Sequence, residues 1–203
     1  MIITQITELS RNRSKVYIDY EFAFVLYKGE LHMYHLQEGS EISEENYQNI
    51  VTKVLPQRAK LRTMNLLQKR SYTEYQLRKK LEEGFYPAEI IDLAVEYVKH
   101  FHYVDDLQYA KDYLNYHEGN KPKKRMERDL IEKGVSKDVI YEAFVSWEDE
   151  SGQDEKEMIC KLLEKKKYHT DFAVKEKQKL YGYLVRKGYS RELVQEVMGK
   201  FYL

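Results

Sequence analysis

Two hydrophobic rhythms run along the chain, and the change between them near residue 56 organises the rest. Before it, apolar residues are crowded and mostly β-branched or aromatic: Ile2 to Leu9, Val16-Tyr17-Ile18-Asp19-Tyr20, then Phe22-Ala23-Phe24-Val25-Leu26-Tyr27. Such runs suit short strands, and Lys28-Gly29-Glu30 offers a turn. The pattern predicts two or three antiparallel strands. Ser43-Glu44-Glu45-Asn46 then predicts a capped helix to about Val54, which Pro56 would end.

From about residue 57 the period is helical and the sequence repeats itself. Laying Leu77 over Met126 and Leu180 also superposes Leu81 on Leu130 and Leu184, Ile90 on Val139 and Leu193, and Ile91 on Ile140 and Val194. A glycine follows the second of these positions each time (Gly84, Gly134, Gly188), one residue early in the first copy. That is where a helix C-terminus takes a left-handed residue. Pro87 suits a first helical position, and Ser136 and Ser190 suit N-caps. An earlier helix in each copy carries Leu61, Met64 and Leu67, then Tyr109, Ala110, Tyr113 and Leu114, then Met158, Ile159, Leu162 and Leu163. The pairs Ser71 with Glu74, Asp105 with Gln108 and Asp154 with Glu157 have capping-box spacing.

These signs predict a mainly α protein: three tandem three-helix-bundle repeats in an elongated array, preceded by a small N-terminal antiparallel β-hairpin or sheet element. The expected divisions are 1–55 for the β element and short helix, then 56–104, 105–149 and 154–203 for the repeats, with Glu148 to Gln153 as a joint. Bundles in series would give a radius of gyration well above about 17 Å, the compact value for this length.

Composition narrows the function. The chain has 203 residues, 42% of them hydrophobic, which suits several small cores better than one large one. Lysine plus arginine equal aspartate plus glutamate at 34 each, so the molecule is not a polycation that coats nucleic acid indiscriminately. The single cysteine, Cys160, excludes an intramolecular disulfide and a multi-cysteine zinc site, and its apolar helical setting predicts a buried inert thiol. No signal-peptide pattern and no run of roughly 18 apolar residues is present, so a cytoplasmic protein without membrane contact is expected. Phosphate loops, dinucleotide turns, His-Glu-x-x-His and nucleophile elbows are all missing, and neither an enzyme nor a cofactor is expected.

Charge departs from uniformity in the middle helices of repeats two and three. Residues 121–133 carry Lys121, Lys123, Lys124, Arg125, Arg128 and Lys133 and sum to +3. Residues 175–187 carry Lys175, Lys177, Lys179, Arg186 and Lys187 and sum to +4, whereas residues 73–83 are neutral. Stripes of this kind meet phosphates or an acidic protein face, or are simply solvated. Asp105 with Asp106 is a helix cap in preference to a metal pair. His100 and His102 have no sequence neighbours to complete a metal site. Most of the 19 tyrosines occupy apolar positions, where packing is expected before base stacking.

Four segments resemble the RecX family: Arg70-Ser71-Tyr72-Thr73-Glu74-Tyr75-Gln76-Leu77-Arg78-Lys79-Lys80-Leu81, Tyr103-Val104-Asp105-Asp106-Leu107-Gln108-Tyr109-Ala110, Leu130-Ile131-Glu132-Lys133-Gly134-Val135-Ser136, and Val16-Tyr17-Ile18-Asp19 with Glu21-Phe22-Ala23-Phe24. His102 stands where that family usually has glycine, and Gly84 arrives one residue early. The resemblance implies a monomeric regulator that binds RecA and the RecA–ssDNA filament. It would restrain strand exchange, ATP hydrolysis and co-protease activity in recombination, DNA repair and the SOS response. Reversing Lys123, Lys124 and Arg128 together would then weaken filament binding and leave the fold intact. Two other readings stay open: a DNA-binding protein using its bundles as helix-turn-helix modules without RecA, with weak direct DNA contact as a lesser form, and a repeat scaffold for another protein.

Overall fold

The computed structural model describes residues 1–150 and 153–200, divided into two compact units, Met1–Val104 and Asp105–Leu203. The first begins with a three-stranded antiparallel sheet of β1 (Ile3–Ser10), β2 (Arg13–Ile18) and β3 (Glu21–Tyr27) in the order β1-β2-β3. Ile18 pairs with Glu21, leaving a two-residue turn in which Asp19 and Tyr20 both take positive φ (49° and 71°). That is the type I′ geometry whose twist matches the flanking strands. Lys28-Gly29-Glu30 is not a hairpin turn. It opens a short helix, α1 (Lys28–Met33), whose Glu30 carboxylate accepts from the Tyr27 amide at 2.7 Å.

Pro56 does not end a helix. Helix α2 (Glu44–Asn49), a π turn at Ile50–Val54 and α3 (Leu55–Leu67) run on with right-handed helical backbone at Asn49, Ile50, Val54 and Leu55. The Leu55 amide donates to Ile50 O, five residues back. This widened turn lies where Pro56 lacks an N–H and its ring would strike a tighter ladder. Ser43 caps α2 by accepting from the Asn46 amide at 3.2 Å.

Helix α4 (Glu74–Glu82) starts from Thr73, not Ser71: the Thr73 hydroxyl accepts from the Gln76 amide, and the Gln76 side chain accepts from the Thr73 amide. Pro87 is the N-cap of α5 (Ala88–His100) instead of its first helical residue. The buried side of α3 is Leu55, Pro56, Ala59 and Thr63; Leu61, expected inside, is 65% exposed. Ile3, Val16, Phe24 and Leu26 of the sheet share one core with Ile50, Leu55, Leu81, Ile91 and Ala94, so β element and first bundle are packed as one body.

The second unit holds α6 (Asp106–His117), α7 (Lys123–Glu132), α8 (Lys137–Glu150), α9 (Glu155–Lys165), α10 (Val174–Lys187) and α11 (Arg191–Lys200). Asp105, Ser136, Asp154 and Ser190 accept from amides in the first turns of α6, α8, α9 and α11, as their sequence positions predict. Ala110, Leu114, Met126, Leu130, Ile140 and Trp147 form one core, and Ile159, Leu163, Leu184, Val194 and Met198 another. Between these two bundles, Gln153 accepts from the Gly119 amide at 2.7 Å and donates to Lys121 O, and Glu155 accepts from the Lys123 amide at 2.6 Å. The expected joint at Glu148 to Gln153 includes residues 151 and 152, which lie outside the described residues.

The repeat register is written in left-handed residues. Gly134 and Gly188 have φ of 82° and 111°, whereas in the first copy Phe85, one place after Gly84, takes φ of 63°. The early glycine is therefore not a displaced cap: a Cβ at Gly84 would lie 2.9 Å from Leu81 O and from the Tyr86 ring. Gly188 has a second constraint, since its Cβ would meet Arg125 Cβ at 3.0 Å. His102 has φ of 55°, which accounts for the glycine that the family pattern favours at that place.

Candidate interaction surface

The cations of α7 and its two flanks fall into two groups. Asp129, 7% exposed, gathers the first: Lys121 Nζ lies at 2.7 Å from Oδ2, Arg125 Nε at 2.8 Å from Oδ1, and the Tyr113 hydroxyl donates to Oδ2 at 2.6 Å. Burial raises the Asp129 carboxyl, but the hydrogen bonds from Lys121 and Tyr113 and the charges of Lys121 and Arg125 outweigh it and hold the group below its ordinary value. Burial, with the charge of Lys121 beside it, keeps His117 below its ordinary value. Lys123 pairs with Glu148 at 2.8 Å and lies over the Trp147 ring at 5.6 Å, and Lys133 lies 5.5 Å from the Tyr113 ring centre. These four cations are engaged by groups of their own bundle.

The second group is Lys124 and Arg128, one turn apart and exposed, with Ile131 (43% exposed) continuing their stripe. Lys124 also borders a cleft between α7 and α8 floored by Ile140 and Phe144, with exposed Tyr141 on its rim. The sequence treats all six cations alike because they cluster on and beside one short helix; the positions of Asp129, Glu148 and the Trp147 and Tyr113 rings separate them.

Helix α10 is different. Moving 54 residues along from Asp129 gives Tyr183, with no carboxylate. Lys166 and Lys187 sit over its ring at 5.6 and 5.5 Å. Lys175, Lys179 and Arg186 are exposed and share one face by their 4- and 7-residue spacing. Lys177 is half-buried on another side. In the first unit, Arg78 is tied to Glu74 and Asp92 at 2.8 and 2.6 Å and Lys80 to Glu83 at 2.6 Å, so these two cations of α4 are paired within their own unit.

Several side chains settle into structural places. Cys160 is half-buried, not fully buried, and burial raises its thiol. Among the described residues no group of three or more His, Cys, Asp and Glu is placed to hold a metal ion, and no helix is long and apolar enough to cross a membrane. Tyr72, Tyr168 and Tyr189 are buried, and Tyr34, Tyr47, Tyr86, Tyr109, Tyr113, Tyr181 and Tyr183 pack half-buried against the cores, so packing accounts for most of the described tyrosines, while Tyr20, Tyr97, Tyr103, Tyr116 and Tyr141 are exposed. Basic residues absent from the sequence candidates lie in the first unit, where Arg13 of β2 meets Arg58 and Arg62 of α3 and the following Lys69 around one concavity. A charge count over the middle helix of each repeat misses them, because Arg58 and Arg62 lie in α3 and Arg13 in a strand.

Comparisons with known proteins agree in one direction. A model of the first three-helix domain of RecX matches residues 59–97, and one of the third matches residues 153–198. A protein of Caldanaerobacter subterraneus subsp. tengcongensis named "Regulatory protein RecX" is 30% identical over 200 residues, covering 98% of both chains. One of the same name from Clostridioides difficile is 30% identical over 207 residues, covering 98% of this chain and 95% of its own. A solved structure titled "Crystal structure of regulatory protein RecX" superposes with a TM-score of 0.64 at 24% identity over 98% of this chain and 99% of the other, a likeness of fold.

Proposed function

The chain belongs to the RecX family of regulatory proteins, and from that premise we propose that it binds RecA and the RecA–ssDNA filament and restrains recombinase, ATPase and co-protease activity. The observation that carries this reading is the match to RecX relatives over nearly the whole length of both partners. Two exposed basic stripes, Lys124 with Arg128 and Lys175 with Lys179 and Arg186, supply surfaces for phosphate or an acidic protein face. Two weak contacts on one chain reinforce each other when a filament presents matching sites in series. The protein works as a cytoplasmic monomer, without a cofactor and without catalysis of its own.

The test measures binding to single-stranded DNA alone, to RecA alone and to the preformed filament, together with RecA ATP hydrolysis. Tightest binding to the filament and slowed hydrolysis are expected. The exposed cations of α10 also suit a protein that binds DNA without RecA. Tight binding to bare DNA with unchanged RecA hydrolysis would replace the first reading by that one.

A further inference from the structure

We propose that the first unit carries a pocket for adjacent nucleotide phosphates, built by Arg13, Arg58, Arg62 and Lys69. The cavity is about 350 Å³, within the range of small-molecule sites, and its lining includes these four cations and no carboxylate. Arg58, Arg62, Asn65 and Lys69 follow one another at spacings of 4, 3 and 4, a single stripe along α3 and the turn after it. Arg13 reaches the same concavity from β2.

Two of the cations are fixed by the fold. Arg58 pairs with Glu30 at 2.8 Å, donates to Val25 O, and lies 5.0 Å and 5.7 Å from the ring centres of Tyr27 and Tyr86. Arg13 donates to Gly84 O at 2.9 Å. The other two are less constrained: Arg62 Nε is buried with no hydrogen-bond partner among the described residues, its charge near Glu83, which is itself paired with Lys80, and Lys69 is exposed. A buried donor without an acceptor is costly, and Arg62 lines the concavity, where an anion can meet its guanidinium.

Charge selects the ligand class. With Glu30 subtracted, three positive charges remain, more than one carboxylate neutralises and suited to two neighbouring phosphates. Arginine forks fit phosphate oxygens in pairs. Tyr27 (43% exposed) and Leu61 at the rim give an apolar shelf for the attached sugar or base. Adjacent phosphates occur both in single-stranded DNA and in a nucleoside diphosphate.

The test uses the full chain without RecA, so its failure leaves the filament reading standing. Labelled dT12 is titrated by anisotropy and ADP by calorimetry, for the wild type, Arg62→Gln/Lys69→Gln and, as a control outside the pocket, Lys124→Glu/Arg128→Glu. We expect the pocket double variant, folded by circular dichroism, to lose at least tenfold in affinity for one of the probes. A dT12 loss assigns the site to DNA, and the slope of log affinity against log salt should then fall by about 1.4, at about 0.7 per phosphate contact on single strands. An ADP loss assigns it to a free nucleotide. Unchanged affinities for both probes, or a loss of dT12 binding only in the α7 control, would overturn the proposal, as would a polyglutamate peptide that binds these residues as tightly as either probe. If the double variant does not fold, Lys69→Glu alone, beyond the end of α3, decides by the same readings.

Discussion

The second and third bundles carry nearly the same basic charge in their middle helices and use it differently. In α7, Asp129 draws Lys121 and Arg125 into a half-buried network completed by Tyr113, leaving Lys124 and Arg128 outward. In α10 the matching position is Tyr183, whose ring takes Lys166 and Lys187 at its face, while Lys175, Lys179 and Arg186 stay exposed. One substitution within a repeat, carboxylate for phenol, thus decides whether neighbouring cations act on the fold or on the solvent. Net charge per helix does not distinguish the two cases; burial of the counter-charge does.

The bundles should be most alike in their cores. Leu130 and Leu184 are repeat-equivalent and fully buried, so Leu130→Ala and Leu184→Ala should each cost about 3 kcal/mol. Trp147, the one tryptophan, lies in the second bundle's core and reports on it alone. Since among the described residues no buried apolar cluster joins the two cores, we expect urea unfolding followed by Trp147 fluorescence to shift for Leu130→Ala and hardly at all for Leu184→Ala. Equal shifts would mean that the polar contacts of Gln153 and Glu155 couple the bundles into one cooperative unit.

Removing the counter-charge should be the next largest effect. Asp129→Ala leaves Lys121, Arg125 and the Tyr113 hydroxyl without their shared acceptor. A fully buried pair would lose about 3–5 kcal/mol on such a change, but Lys121 and Arg125 are 32% and 42% exposed, so about 2 kcal/mol is expected by the same fluorescence measurement. Tyr183→Phe keeps the ring beneath the cations and should change stability by less than about 0.5 kcal/mol. A large loss there would show that the hydroxyl, not the ring, is what matters.

The exposed cations invert this order. Lys124→Glu/Arg128→Glu and Lys175→Glu/Lys179→Glu/Arg186→Glu should leave urea midpoints nearly unchanged, and each should weaken filament binding by roughly tenfold, about 1.4 kcal/mol. Adding Lys123→Glu is different, because it sets a carboxylate against Glu148 and uncovers Trp147. Reversing Lys123, Lys124 and Arg128 together should therefore cost more than reversing the pair, but with Lys123 and Glu148 40% and 53% exposed the loss should stay within about 1 kcal/mol and leave the fold intact.

How much of this could be read from the chain follows from range. Helix starts at Asp105, Ser136, Asp154 and Ser190 were legible because a cap and its amide are three residues apart or fewer. The repeated core positions Leu81, Leu130 and Leu184 were legible because the period of the helix alone places them inside. The continuation of helix through Pro56 was not, since a π turn resolves the conflict by a bond one residue longer than the pattern assumes. Nor was the sharing of a core between Phe24 of the sheet and Ala94 of α5, which no local pattern announces. The basic stripes were visible as charge, but Lys121 and Lys124 looked equivalent until the fold brought Tyr113 and Asp129 together.

Acid should separate the two bundles by a smaller margin. His117, beside Tyr113 and Lys121, is held below its ordinary value of 6.5, chiefly by burial. Between its folded-state value and 6.5 the unfolded chain takes up a proton that the folded chain does not. Stability of the second bundle therefore falls as pH drops below about 6.5, and levels off once the folded histidine protonates. Asp129 acts lower on the scale: its depressed carboxyl contributes stability that is present above the ordinary 3.8 and lost as pH falls through the folded value. In the third bundle Glu196, between Lys156 and Lys200, shifts in the same direction but is exposed, where solvent screens the pair. Acidification followed by Trp147 fluorescence should thus show two declines in the second bundle. His117→Gln should abolish the upper one and spare the lower, and persistence of the upper decline in that variant would assign it to another group.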